Sequence, residues 1–412
     1  MRDRALHAIA ECQHLATMTE EPGRITRRFL TPPVHDVHAH LRRRMVALGM
    51  EVRVDAVGNL RGLWKPEISR ARRLVLGSHI DTVPDAGAYD GVLGVVLALE
   101  WVRLAQEAVL PLAIEVIAFS EEEGVRYPPF LGSRAVAGTF DKSMLAYADT
   151  DGIRMDEAIR TFGLDPSKID EAALDSQVLG FVEIHIEQGP VLDTENIPLA
   201  VVSGIVGQTR LGLRFAGHAN HAGTTPMNLR HDALAAAAEW ITMVETSVAR
   251  AASADEPGLV ATVGTVAVVP NATNVIPGTV EVSLDLRHMS NRTRDWWASQ
   301  LFKDAEIAAR KRGVGLESVR KVNEPAVEMD PDLSLNLKLA VEAAGYPLKT
   351  MPSGAGHDAM VMATGMPAAM LFLRSPGGIS HHPSETVREE DVEATLHVGR
   401  RFLERLAAES GT

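Results

Sequence analysis

The 412-residue chain holds a single cysteine, Cys12. That excludes an intrachain disulfide and any zinc cluster built on thiolates, and it fits the reducing cytosol. No apolar run reaches the length that crosses a bilayer. The first residues, MRDRALHAIAECQHLA, are charged and amphipathic and lack the apolar core of a signal peptide. Positive charge is scarce: 41 Lys and Arg stand against 54 Asp and Glu, for a net charge of −13. Neither a nucleic-acid surface nor a polybasic membrane patch is expected, and an anionic substrate would need a local cationic site. Also missing are an ordered Ser-His-Asp nucleophile set, a phosphate-binding glycine loop and a dinucleotide fingerprint. There is no internal repeat and no low-complexity tract.

What is present is an ordinary globular composition, 46% hydrophobic and 23% charged, long enough for two or three domains. One stretch organises the rest: Gly77–Gly91, GSHIDTVPDAGAYDG. Arg73–Leu76 before it ends as a short buried strand, and Val92–Ala105 after it is apolar and long enough for a packed helix. His79, Asp81 and Asp90 are thus expected in loop between strand and helix, where open α/β sheets build their sites. One imidazole and two carboxylates suit a divalent cation such as zinc. Taken alone, the stretch also fits a solvated turn with a capping Asp. Three further apolar strands change the balance. Glu121, Glu122 and Glu123 follow Leu112–Phe119, His185 ends Gly180–Ile186, and His381 follows Ala368–Leu373. Metal-type ligands after four separate strands are hard to obtain by chance.

With these residues in view, the chain resembles the amidase/carbamoylase branch of the dinuclear-zinc aminoacylase and carboxypeptidase superfamily. That branch includes N-carbamoyl-L-amino acid hydrolases, yeast-type β-ureidopropionase and allantoate amidohydrolase. The resemblance rests on GSHIDTVPDAGAYDG, FSEEEGVRY, HIEQGPVL, GHANHAGTTPM, NATNVIPG, SGAGHDA and GISHHPSE, in order from 77 to 385. It implies two divalent ions, Zn²⁺ first and Mn²⁺, Co²⁺ or Ni²⁺ as alternatives. His79, Asp90 and His185 would hold one, and Asp90, Glu123 and His381 the other, with Asp90 bridging. Glu122 would be the general base. Asp81 would take the other N–H of His79 and orient it. His221 would hydrogen-bond the developing oxyanion, and Asn274 with Arg287 would bind the substrate's α-carboxylate. From spacing alone, Arg287 reads rather as an Arg capping a strand end. Gln188 would touch the carbamoyl or carboxylate group, and His357 would line the substrate site. Glu121 has no assigned work and is expected on a solvated face. His382 stands where the family usually has Asn, and would line the pocket or bond a loop.

The activity implied is hydrolysis of the carbamoyl C–N bond of N-carbamoyl-L-amino acids or related ureido acids, in the cytoplasm. Allantoate amidohydrolase is the nearest alternative. HIEQGP and HAGTTPM favour this ureido branch over an aminoacylase or peptidase. A metal-free binding protein that kept only the fold is disfavoured because no ligand or base is missing.

Helical patterns cover residues 4–17 and His35–Leu48. His35, His38 and His40 lack a companion carboxylate cluster, so structural roles are expected for them. From Gly207 the pattern changes. Thr209–Phe215 alternates as a strand, Asp232–Arg250 is an Ala-rich helix, and Leu259–Val269 and Gly278–Arg287 alternate as strands. The helix Arg292–Arg312 and the strand Val314–Val322 complete a β-α-β-β-α-β order, the ferredoxin-like arrangement. The fold expected is therefore an α/β metal-bearing catalytic domain, residues 1–206 and 325–412. It is interrupted by a smaller ferredoxin-like α+β domain, residues 207–324, through which the resemblance implies a homodimer.

Overall fold

The structure, a computed structural model, describes residues 1–67, 72–175 and 177–410. The chain divides into two compact units, Met1–Ser203 with Met329–Thr412, and Gly204–Glu328.

The first unit is built on a mixed sheet. Its strands lie in the order Glu51–Val54, Leu60–Trp64, Ala113–Phe119, Arg73–His79, Val178–Ile186, Ala368–Leu373, Leu199–Ile205. The four strands from Ala113–Phe119 to Ala368–Leu373 are mutually parallel. Ala113–Phe119 and Ala368–Leu373 are buried at every position, as parallel strands covered on both faces must be. The helix Val92–Glu107 packs on this sheet and is covered in turn by Arg2–Ala16 and Glu389–Ser410. Buried on almost every side, it can be Leu, Val and Ala nearly all round, without a polar face. Parallel strands place all their carboxyl ends on one edge, so the four loops that follow them gather there.

The Arg73–Leu76 strand runs on to His79, because its ladder with Ala113–Phe119 continues through Gly77 and Ser78. These two small residues give no apolar signal to extend the pattern. His79 is accordingly the last residue of a strand, and only Asp81 and Asp90 lie in the loop. No helix among the described residues is long and apolar enough to cross a membrane.

The second unit is an antiparallel sheet in the order Gly315–Glu324, Gly207–Ala216, Thr279–His288, with Val260–Thr262 and Val266–Val269 both on the last strand. The strand expected over Leu259–Val269 is thus two pieces, pairing with opposite ends of Thr279–His288 and parted around Gly264. The helices Ala233–Ala254 and Asn291–Lys311 share one core with the sheet, in which Phe215, Trp240, Leu286 and Leu301 are buried. Asp232 and Ser290 cap the two helices through the amides of Ala235 and Thr293.

Candidate metal centre

The parallel strands deliver the ligand types. His79 ends Arg73–His79, and His185 is the penultimate residue of Val178–Ile186. Each ring gives its Nδ1–H to a backbone carbonyl, His79 to Asp81 at 3.0 Å and His185 to Ile186 at 2.8 Å. A carbonyl only accepts, so Nδ1 carries a proton in each ring and Nε2 is the atom turned to the cluster, where it would ligate a cation. Those two Nε2 atoms lie 3.4 Å apart. Asp90 Oδ1 stands 3.2 Å from His185 Nε2 and 3.8 Å from His79 Nε2. Its other oxygen, Oδ2, is 3.1 Å from His381 Nε2, which is 3.4 Å from Glu123 Oε1. Imidazole nitrogens and carboxylate oxygens converging at 3.1–3.8 Å in a buried space make a donor set that a divalent cation would satisfy. Among the described residues four overlapping groups have all their donor atoms within 4.8 Å. Two are His79–Glu122–Glu123 and Glu183–His185–His357; the other two share Asp90 and are His79–Asp90–His185 and Asp90–Glu123–His381. Nitrogen and oxygen donors in this mix fit divalent zinc-type ions, and Asp90, offering one oxygen to each group, fits a bridge. Gly91 is needed beside them: its φ is +66°, and a Cβ there would lie 2.5 Å from the His79 ring.

Two expectations about the acidic residues are corrected. Glu121 is not on a solvated face; it is 0% exposed. Its carboxylate accepts the backbone N–H groups of Phe29, Arg126 and Tyr127. These bonds hold Glu121 at φ +52°, in the left-handed region, and so shape the turn that presents Glu122 and Glu123. Asp81 orients His79 through its backbone carbonyl, while its carboxylate is 3.9 Å from that ring. The carboxylate accepts the amides of Glu122 and Glu123 at 3.1 and 3.0 Å. Asp81 thereby fixes the histidine, the Glu122 backbone and the Glu123 backbone at once.

The buried carboxylates perturb one another. Burial, with Glu123 next to it, holds the Glu122 carboxyl well above the usual range. Burial and the neighbouring Asp90 lift Glu123 to about 8. Burial would raise Asp90 as well, but hydrogen bonds from His185 and His381 hold it well below the usual range. Burial lowers His79, and hydrogen bonding to Asp90 lifts the half-exposed His381 to about 9.

Gln188 lies against this cluster. Its Nε2 is 3.2 Å from both oxygens of Asp90, and its Oε1 is buried with no hydrogen-bond partner among the described residues. His357 is buried; its Nε2 is bonded to Ser353 Oγ at 2.9 Å and its ring stands edge-on to His185, 4.4 Å between centroids. His357 thus packs directly against a residue of the donor cluster. His382 accepts the amide of Ser384, the loop-bonding role expected for it. His35 stacks on Phe162 and His40 pairs with Glu11, both structural.

Sequence reasoning passed over two buried acids. Glu183, on the strand bearing His185, accepts Ser78 Oγ and the Ala359 amide. Glu385 accepts the amides of Tyr89 and Asp90. An acid inside the apolar run FVEIHI was the available signal for the first. Only its place in GISHHPSE marked the second.

In the second unit, the His221 and Val275 backbones form a bridge, and the Ala222 amide donates to the Asn274 carbonyl, so His221 and Asn274 are neighbours. His221 Nδ1 accepts the amides of Gly223 and Thr224 at 3.0 and 3.2 Å. An accepting Nδ1 leaves the ring proton on Nε2, as a donor. Arg287, at the end of its strand as expected and one residue before the last, forks onto Asp285 through Nε at 2.8 Å and Nη2 at 3.1 Å.

Comparison with known proteins agrees with the motifs. Residues 75–405 match the sequence profile of peptidase family M20/M25/M40. An allantoate deiminase of Arabidopsis thaliana is 37% identical, over 96% of this chain and 81% of that protein. An N-carbamoyl-L-amino acid amidohydrolase of Geobacillus stearothermophilus is 39% identical over 90% of each. Among solved structures, an amidase of the hydantoinase/carbamoylase family from Burkholderia multivorans superposes with a TM-score of 0.89 at 30% identity, covering 97% of both chains. The chain therefore belongs to peptidase family M20/M25/M40.

Proposed function

We propose that the protein hydrolyses the carbamoyl C–N bond of ureido acids, either N-carbamoyl-L-amino acids or allantoate, with two divalent ions, zinc first among them. The carrying observation is the split of Asp90's two oxygens between two nitrogen- and oxygen-donor groups, with Glu122 within 4.8 Å of donor atoms of His79 and Glu123. When bound, the ions would polarise the carbamoyl oxygen and make the attacking water more acidic. Glu122 takes a proton from that water as it attacks the carbamoyl carbon, and returns it to the leaving nitrogen. The raised proton affinity of Glu122 suits a group that must both accept and release. Its environment is set by Asp81 and Glu121, which hold the turn. Gln188 Oε1, the buried acceptor without a partner, receives an N–H of the carbamoyl group. His221, with its proton on Nε2, donates to the oxyanion, and Asn274 and Arg287 receive the carboxylate. Products from an N-carbamoyl amino acid are the amino acid, CO₂ and ammonia. The lone buried Cys12 suits a cytosolic setting.

The test is ammonia release from allantoate and from a panel of N-carbamoyl-L-amino acids, with metal supplied. Hydrolysis of at least one is expected, and inactivity on all of them contradicts the proposal. Arg287→Lys keeps charge but loses the planar fork. It is expected to raise KM and lower kcat together on the active substrate, with metal content unchanged; wild-type kinetics would leave Arg287 as a strand residue paired with Asp285.

The second unit is also proposed to form a homodimer. Its outer strand position is exposed and apolar, with Val260, Val266 and Val269 53, 49 and 59% exposed, an edge that calls for cover. Sedimentation at micromolar concentration should give a dimer, and a monomer there rules this out.

A further inference from the structure

We infer that Glu385 is a positioning residue: it locks the backbone of the shared carboxylate, Asp90, to the loop that carries His381. This rests on the metal-centre reading above. Glu385 is 5% exposed yet is not among the metal-type donor groups. One oxygen, Oε1, accepts the amides of Tyr89 and Asp90, both at 3.0 Å. The other, Oε2, accepts Ser380 Oγ at 3.0 Å, one residue before His381. Ser380 Oγ in turn lies 3.5 Å from Asp90 Oδ2. The ring is closed by the Glu385 amide, which donates to the His382 carbonyl at 2.9 Å. Asp90 and His381, remote in sequence, are thereby joined through one side chain that touches both loops.

The fold leaves room for this at one place. Gly87 is buried under Glu385, and a Cβ there would lie 2.3 Å from both Glu385 Cβ and Oε1. Two positions far apart along the chain thus make one device, and each can be broken separately. Asp90 has to present Oδ1 to His79 and His185 and Oδ2 to His381. A carboxylate that serves two donor groups tolerates little rotation, so the anchoring of its backbone matters more than it would for a terminal ligand.

Three variants test this, with two readouts: metal retained after gel filtration under limiting Zn²⁺, and kcat on the active ureido substrate. Glu385→Ala leaves two amides and a hydroxyl without their acceptor, and is expected to lower kcat and metal affinity by about 10–100-fold, the usual cost of removing support behind a ligand. Gly87→Ala should give the same phenotype by displacing Glu385. Glu385→Gln keeps an acceptor for the two amides and should retain at least about a third of the wild-type values, since the role is to accept backbone hydrogen bonds. A folded Glu385→Ala with wild-type metal content and kcat overturns the inference. So does a Glu385→Gln as impaired as Glu385→Ala, because charge rather than acceptance would then be the requirement. If Glu385→Ala does not fold, Gly87→Ala decides: loss of metal supports the inference and full retention overturns it. Should the wild-type protein hydrolyse no ureido acid, the substrate proposal fails, while metal retention in the variants still decides the role of Glu385.

Discussion

Glu122→Gln should fold, keep its metals and lose turnover by about 10²–10⁴-fold, the range a positioned general base supplies. The reason is geometric. The Glu122 amide is fixed by Asp81, and its carboxyl is buried beside Glu123 and His79 donor atoms. Burial and the neighbouring Glu123 raise its affinity for a proton. A Gln of the same shape preserves the packing and removes only the ability to take and return that proton. Glu123→Gln should behave differently. Glu123 Oε1 faces His381 Nε2 at 3.4 Å within the second donor group, so this variant should shed metal first and lose activity in consequence. Metal analysis beside steady-state kinetics separates the two. Metal loss in Glu122→Gln, with metal retained in Glu123→Gln, would mean that the roles are exchanged.

Removal of the metals should abolish hydrolysis. Without cations, the Nε2 atoms of His79 and His185 face each other across 3.4 Å, and buried Asp90 and Glu122 crowd against partly buried Glu123. These groups cannot then polarise a carbamoyl oxygen, since none is a Lewis acid. Chelation should also lower the melting temperature, because ions that bind only the folded state stabilise it by mass action. Restoring a divalent ion should recover both properties. Chelation that leaves kcat untouched would contradict this.

How much of this could be read from the sequence depended on what kind of signal each residue left. The strand–ligand pattern around His79, Asp90, Glu123, His185 and His381 was legible because apolar runs announce strands and the ligand types follow them. The β-α-β-β-α-β order of the inserted segment was legible from period, except for the break that parts Leu259–Val269 into two strands. Hydrogen bonds to backbone amides leave no such trace. Glu121 reads as one more surface acid in a charge run, yet three amides converge on it, one from distant Phe29 and two from the turn that follows it. Asp81 pointed towards His79 in the expected way, but through its carbonyl, a distinction that a side-chain pattern does not carry. The His79 strand end was hidden because Gly77 and Ser78 extend a ladder without an apolar side chain. Arg287 invited a free guanidinium, and only the structure reveals the fork on Asp285.

The central claim is that one carboxylate, Asp90, serves two metal ions that hydrolysis requires. It is tested most directly by titrating chelated protein with Zn²⁺ while following ammonia release and bound metal together. Activity should reach its plateau at two equivalents per chain in the wild type, and Asp90→Ala should fail to reach it at any equivalence. Full activity of the metal-free protein, or a plateau at one equivalent with nothing gained from the second, would contradict it.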